Sequence, residues 1–150
     1  MKIIRALPDQ AKTLTHISVS AKSHWGYPKD VIANWIPQLT ITPKSIAAHP
    51  TYAAISDQNV LGFYQLNVCD DIATLEHLWV SPSHMGKGIG RSLLMHASER
   101  AQMTLHINSD PHAEPFYLAC GATRVSRLPA PIDGQPDRCL PQMELCRLAT

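Results

Sequence analysis

The sequence predicts one domain of the α/β class, α+β in type, with helices flanking a mixed, mostly antiparallel sheet. Three observations carry that expectation. Two helical periodicities open the chain, and a meander of three β-prone runs follows. The third run then leads through a glycine-rich loop into another helical periodicity and a fourth strand. A length of 150 residues suits a single core, and nothing mid-chain reads as a linker.

After the short apolar start KIIRA, Ala11, Leu14, Ile17 and Ala21 recur at helical spacing. They predict a helix from Asp9 to about Lys22, with Asp9 following Pro8 as its cap. The aromatic stretch HWGYP (His24 to Pro28) interrupts it. Val31, Ile32, Trp35, Ile36 and Leu39 then predict a second helix, ending near Pro37 because proline lacks the N–H a helix interior needs. The runs TYAAIS, VLGFYQLNV and IATLEHLWV, separated by DQN and CDD, read as three strands. Ile89, Leu93, Leu94, Ala97 and Ala101 space out the helix after the glycine loop, and MTLHIN follows as a strand. DPHAEPFYLACGA reads as a short helix, with Asp110 near its cap, prolines in its first turn and Gly121 at its end. The remainder, RLPAPIDGQPDRCLPQMELCRL, is a proline-rich loop between two strands.

Composition narrows the function. With 45% hydrophobic residues, 17% charged residues and a net charge of +1, the chain lacks the basic excess of a general nucleic-acid binder. The helix carrying Arg91 and Arg100 also carries Glu99, so it reads as a solvated face. No run approaches the roughly 20 apolar residues of a membrane helix, and the N-terminus lacks an apolar stretch followed by a small-residue cleavage site. A cytoplasmic protein without nucleic-acid or membrane partners is expected. Cys69, Cys120, Cys139 and Cys146 form no CxxC pair and are expected as reduced thiols in or near the core. His77, His84, His106 and His112 show no HxxxH or HxH spacing, so no metal is expected.

The stretch VSPSHMGKGIGRSLL, Val80 to Leu94, places Gly86, Gly88 and Gly90 directly before a helix. A helix N-terminus presents unpaired N–H groups and a positive dipole end, so such a loop is a natural phosphate cradle, with Lys87 and Arg91 at its rim. The GxxxxGK[ST] pattern is absent, since Gly88 follows Lys87. The dinucleotide pattern GxGxxG fails as well, because Arg91 and Leu93 stand where its third glycine would fall. Asp110 does lie about 20 residues on, as an acid for a ribose would, which leaves another nucleotide-binding class as a rival.

Val80 and Pro82 at the strand end, with Gly88 and Gly90 after it, resemble the pyrophosphate-binding motif of the GNAT superfamily of N-acetyltransferases. Met85 stands where that motif usually has Gln or Arg. Ala113, Phe116, Tyr117 and Gly121 resemble the superfamily's second CoA-proximal motif, with Asp110 in place of a commoner Asn. SHWGYP and RCLPQMEL extend the resemblance over the full length in the right order.

The resemblance implies acetyl-CoA as cosubstrate and direct transfer to a primary amine in a ternary complex. Two parallel strands, IATLEHLWV and MTLHIN, would splay apart so that the pantetheine arm pairs between them. Cofactor contacts are then expected from Leu78, Trp79 and Val80, from Met85, Gly86, Lys87, Gly88, Ile89, Gly90, Arg91 and Ser92, and from Asp110, Ala113, Phe116 and Tyr117. Tyr117 matches the tyrosine that protonates the CoA sulfur. For the base, Glu76 is expected to share a strand face with Leu78 and Val80 while His77 points away. A chain of waters would serve as well. His24, Trp25 and Tyr27 are read as lining the acceptor pocket, their aromatic faces suited to an ammonium. The loop with Asp133, Asp137 and Arg138 is read as closing over the acceptor. A small-molecule or peptide amine is the expected partner, and a homodimer is an arrangement common among relatives. The alternative is a GNAT-like domain that binds CoA as a sensor or scaffold without catalysis.

Overall fold

The computed structural model describes residues 1–146. The elements run β1 (Lys2–Arg5), α1 (Ala11–His24), α2 (Lys29–Leu39), α3 (Pro43–Ala48), β2 (Thr51–Ser56), β3 (Asn59–Cys69), β4 (Ile72–Val80), α4 (Ile89–Ala101), β5 (Leu105–Asn108), α5 (Glu114–Ala119), β6 (Thr123–Pro129) and β7 (Cys139–Leu145). They form one seven-stranded sheet in the order β1-β2-β3-β4-β5-β7-β6. Every neighbouring pair is antiparallel except β4–β5. This is the mixed, mostly antiparallel sheet expected from the sequence.

Both faces of the central strands are covered, which is why TYAAIS and VLGFYQLNV read as nearly continuous apolar runs. On one face Ala53 and Phe63 join Ala11, Leu14 and Ile17 of α1 and Ile46 of α3. On the other face Tyr52, Ala54, Tyr64 and Leu75 join Leu93, Leu94 and Ala97 of α4. Leu93 and Leu94 are fully buried. Burying a leucine side chain contributes roughly 1.5–3 kcal/mol, so this pair anchors the helix that follows the glycine loop. The hairpin turns at Asp57–Gln58 and Asp70–Asp71 both take positive φ, the geometry that matches strand twist across a two-residue turn.

Four details differ from the sequence reading. The first turn is a 3-10 turn over Pro8–Gln10, so α1 starts two residues after Asp9, and Asp9 does not cap it. The second helix continues through Pro37 to Leu39. Pro37 and Ala33, whose carbonyl loses its partner there, are both exposed, so that carbonyl is open to solvent. The short segments β1 and α3 appear where no element was expected. Lastly, all four cysteines are free as expected, but Cys69 and Cys146 are exposed.

Candidate active site

β4 and β5 pair only at Ala73–Leu105, Thr74–His106 and Leu75–Ile107. Beyond Leu75 the two strands part, although β4 continues to Val80, still paired to β3 on its other edge. Alternate backbone groups of residues 76–80 therefore face an opening with no strand opposite, where an extended ligand can pair with them. That opening belongs to a cavity of about 890 Å³ lined by all five of these residues, by the glycine loop and by the first turn of α4. Its size lies within the ordinary range for small-ligand sites.

The floor of the cavity is a helix start. Gly88 is the N-cap of α4 with φ +81°, a left-handed conformation that L side chains pay to adopt. The Ser92 N–H is the first to be satisfied, by the Gly88 carbonyl. The N–H groups of Gly86 to Arg91 have no acceptor among the described residues, so a row of free donors is backed by the positive end of the α4 dipole. Gly90 has a separate requirement. A Cβ there would lie 3.3 Å from two carbons of the Phe116 ring and 3.6 Å from a Val80 methyl, so the two sequence motifs touch each other.

Tyr117 lies on α5, edge-on to Phe116 with ring centres 5.1 Å apart. It is buried at the cavity wall, and its hydroxyl makes no hydrogen bond to a described residue. Burial, with smaller contributions from Cys120 and Asp110, raises its pKa well above the phenol range, so it holds its proton at neutral pH. Cys120 also lines the cavity, its thiol pKa raised by burial against the influence of Arg91.

Glu76 lines the cavity and is exposed, but the reason given for its facing needs correction. Gln65 pairs with His77 and Leu66 with Leu75, which leaves Glu76 as the extra residue of a β-bulge. The two-residue alternation breaks there. Leu75, rather than Glu76, shares the core face of Leu78 and Val80. A bulge re-aims its extra side chain, and here that residue is the carboxylate beside the opening.

His77 lines the cavity as well, but in a form that does not accept a proton. The Trp79 indole N–H donates to His77 Nδ1 at 3.0 Å, and since an indole only donates, the neutral ring carries its hydrogen on Nε2. Burial depresses the His77 pKa to about 4.

Lys87 and Ser92 do not line the cavity, whereas Leu78, Trp79, Val80, Met85, Gly86, Gly88, Ile89, Gly90, Arg91, Asp110, Ala113, Phe116 and Tyr117 do. Among the three residues expected around the acceptor, only Trp25 lines it. His24 is exposed, and Tyr27 is buried behind the wall. Sequence reasoning did not single out Lys22, Trp35 and Gln38, which also line it. Arg138, read only as part of a closing loop, is buried at the wall. Among the described residues, no group of His, Cys, Asp and Glu is arranged to hold a metal, and no helix is long and apolar enough to cross a membrane.

A family model described as an acetyltransferase (GNAT) domain matches residues 47–121, the span from the end of α3 through the glycine loop to Gly121. The streptothricin acetyltransferase of Escherichia coli is 32% identical over 80 residues, an alignment covering 48% of this chain and 46% of that protein. The chain thus spans about half the length of this curated relative. A crystal structure of the PaiA N-acetyltransferase of Thermoplasma acidophilum with coenzyme A superposes with a TM-score of 0.79 at 18% identity, covering 97% of this chain and 98% of the other. A nourseothricin acetyltransferase superposes with a TM-score of 0.58 at 25% identity, covering 67% and 66%.

Proposed function

Because this chain belongs to the GNAT acetyltransferase family, whose model matches half its length, we propose that it is an N-acetyltransferase acting as one domain. It moves the acetyl group of acetyl-CoA to a primary amine by direct transfer in a ternary complex. The observation that carries this reading is the parting of β4 from β5 beside a row of free N–H groups at the start of α4.

The residues present fit such a cosubstrate. Backbone groups of Leu78, Trp79 and Val80 pair with the pantetheine arm, and the amides of Gly86 to Arg91 receive the pyrophosphate. Met85 brings no polar side chain, so the amides bear most of that contact. Acetyl-CoA supplies an activated thioester, whose acetyl group passes to the amine nitrogen as the C–S bond breaks. Glu76 receives the proton lost by the amine, directly or through a water, and Tyr117 gives its proton to the departing sulfur. Amides fixed on β4 need no rearrangement as negative charge develops on the acetyl oxygen. We assign the protein to the cytoplasm and its acceptor to small-molecule or peptide amines.

The competing nucleotide-binding reading rests on Gly86 to Gly90 with Asp110, and the structure turns Asp110 to a different use: it sits in an ion cluster with Lys22 and Arg138. A thermal-shift comparison of acetyl-CoA, NAD and ATP tests the proposal. Acetyl-CoA should raise the melting temperature by several degrees, and stabilisation by NAD alone would overturn the reading.

A further inference from the structure

Lys22 on α1, Asp110 after β5 and Arg138 before β7 meet at the cavity wall, their side chains 12%, 7% and 5% exposed. Lys22 Nζ lies 2.5 Å from Asp110 Oδ2, and Arg138 Nη2 lies 3.6 Å from the same oxygen. Arg138 also donates to the Tyr27 hydroxyl at 3.1 Å and to the Ala130 carbonyl at 3.0 Å. Asp110 Oδ1 accepts from the His112 backbone N–H and lies 2.8 Å from His112 Nδ1.

The charges in this cluster do not balance. Burial alone would raise the Asp110 pKa, but the Lys22 charge and hydrogen bonds from Lys22, the His112 N–H and Tyr27 hold it at about 2, so the carboxylate is ionised. Among the described residues no second carboxylate pairs with Lys22 or Arg138, leaving two cations to one anion. The Lys22 pKa is lowered, first by burial and also by Arg138, despite the opposing pull of Asp110. Arg138 Nε is buried and has no hydrogen-bond partner. A buried donor left unpaired costs about 1–3 kcal/mol, more when charged.

The aromatic faces that a cationic substrate would seek are already taken. Lys22 Nζ stands 4.6 Å from the Trp35 ring centre and 5.2 Å from that of Tyr27. The Arg138 guanidinium stands 5.1 and 5.3 Å from the same two rings. Trp25 is stacked on His112. An incoming ammonium would meet like charge here, which reverses the preference the aromatic residues suggested in sequence.

We propose that the acceptor is an amine that also bears a carboxylate, of amino-acid type, with the carboxylate docked against Arg138 and Lys22. The inference rests on the acetyltransferase reading and narrows its acceptor. Among the described residues Glu76 is the one acid lining the cavity outside the cluster, and the amine end of such a zwitterion would turn toward it.

Matched pairs test this: glycine, L-alanine and L-lysine against their amides, with 1,5-diaminopentane as a dication, scored by release of CoA thiol. Amides have the less basic amine, so intrinsic reactivity favours them and a preference for the acid reports carboxylate recognition. At least one acid should exceed its amide about tenfold in kcat/KM, the scale of one charge-assisted contact. Arg138→Gln should raise KM for that acid about tenfold more than it raises KM for the amide, with Arg138→Lys restoring part of the difference. If Arg138→Gln does not fold, Lys22→Gln carries the same expectation.

Faster turnover of the amides and the diamine would overturn the proposal. Failure to turn over any amine would overturn the acetyltransferase reading itself. A second arm decides the carboxylate claim without turnover: calorimetric titration of the CoA-loaded protein with N-acetylglycine, N-acetyl-L-alanine and N-acetyl-L-lysine against their amides. Tighter binding of at least one acid supports the claim, and equal binding throughout refutes it.

Discussion

Acidification should destabilise this protein through histidines held neutral by burial, His77 and His96, and His77 shows the effect most clearly. His77 is half-buried, its ring 6.2 Å from that of Phe63, and it accepts a hydrogen bond from the Trp79 indole. Its pKa falls from 6.5 in the unfolded chain to about 4 in the folded one. Between those values the unfolded chain binds a proton that the folded chain refuses, so stability rises with pH across the window and is lost as pH falls from about 6.5 to about 4. At 1.36 kcal/mol per pKa unit, the difference amounts to about 3 kcal/mol. Urea denaturation at intervals from pH 7 to pH 4 measures it, with His77→Gln as the reference because a glutamine accepts the indole bond and does not titrate. The wild-type curve should fall about 3 kcal/mol further than the variant's over that range. Parallel curves would refute a His77 held neutral in the fold and favour it over Glu76 as the base.

Three further outcomes follow from the site. Tyr117→Phe removes a hydroxyl with no hydrogen bond to a described residue, so melting should be nearly unchanged while kcat falls about 100-fold and KM for acetyl-CoA stays constant, the signature of a lost general acid. Gly88→Ala meets no atom within 4 Å but must hold φ +81°, so it should lose about 1–2 kcal/mol in urea denaturation and bind acetyl-CoA more weakly by calorimetry. Asp110→Asn strands two buried cations and should cost about 3–5 kcal/mol of stability, read as a lower urea midpoint.

The parts of this fold that show in sequence are those whose signal is local and repeated. α4 is legible because Leu93, Leu94, Ala97 and Ala101 repeat often enough to define a buried face, and the glycines before it mark the loop. β1 is four residues on a sheet edge, too short for alternation to show. α3 has six residues and one buried position, although Thr42 with Ser45 and Pro43 formed a capping signal that was open to reading. Pro37 misled because an exposed proline near the end of a helix can be carried through it at the cost of one hydrogen bond, with the freed carbonyl open to solvent. At the site, the glycine loop and Tyr117 were visible as motifs, but two facts were not. The bulge at Glu76 arises from pairing with β3 and leaves no mark on β4 itself. The Lys22–Asp110–Arg138 cluster gathers positions from the first helix, the turn after β5 and the last loop, which no local pattern links.

The central claim is acetyl transfer to an amine at the parted strands. Its most direct measurement is release of CoA thiol from acetyl-CoA across a panel of amino acids, amides, diamines and peptides, with mass spectrometry of each amine. Thiol release should need both acetyl-CoA and an amine, with one acetyl group added to the amine nitrogen. Tight binding of acetyl-CoA with no thiol released above the rate without amine, for any member of the panel, would contradict it and leave a protein that holds CoA without spending it.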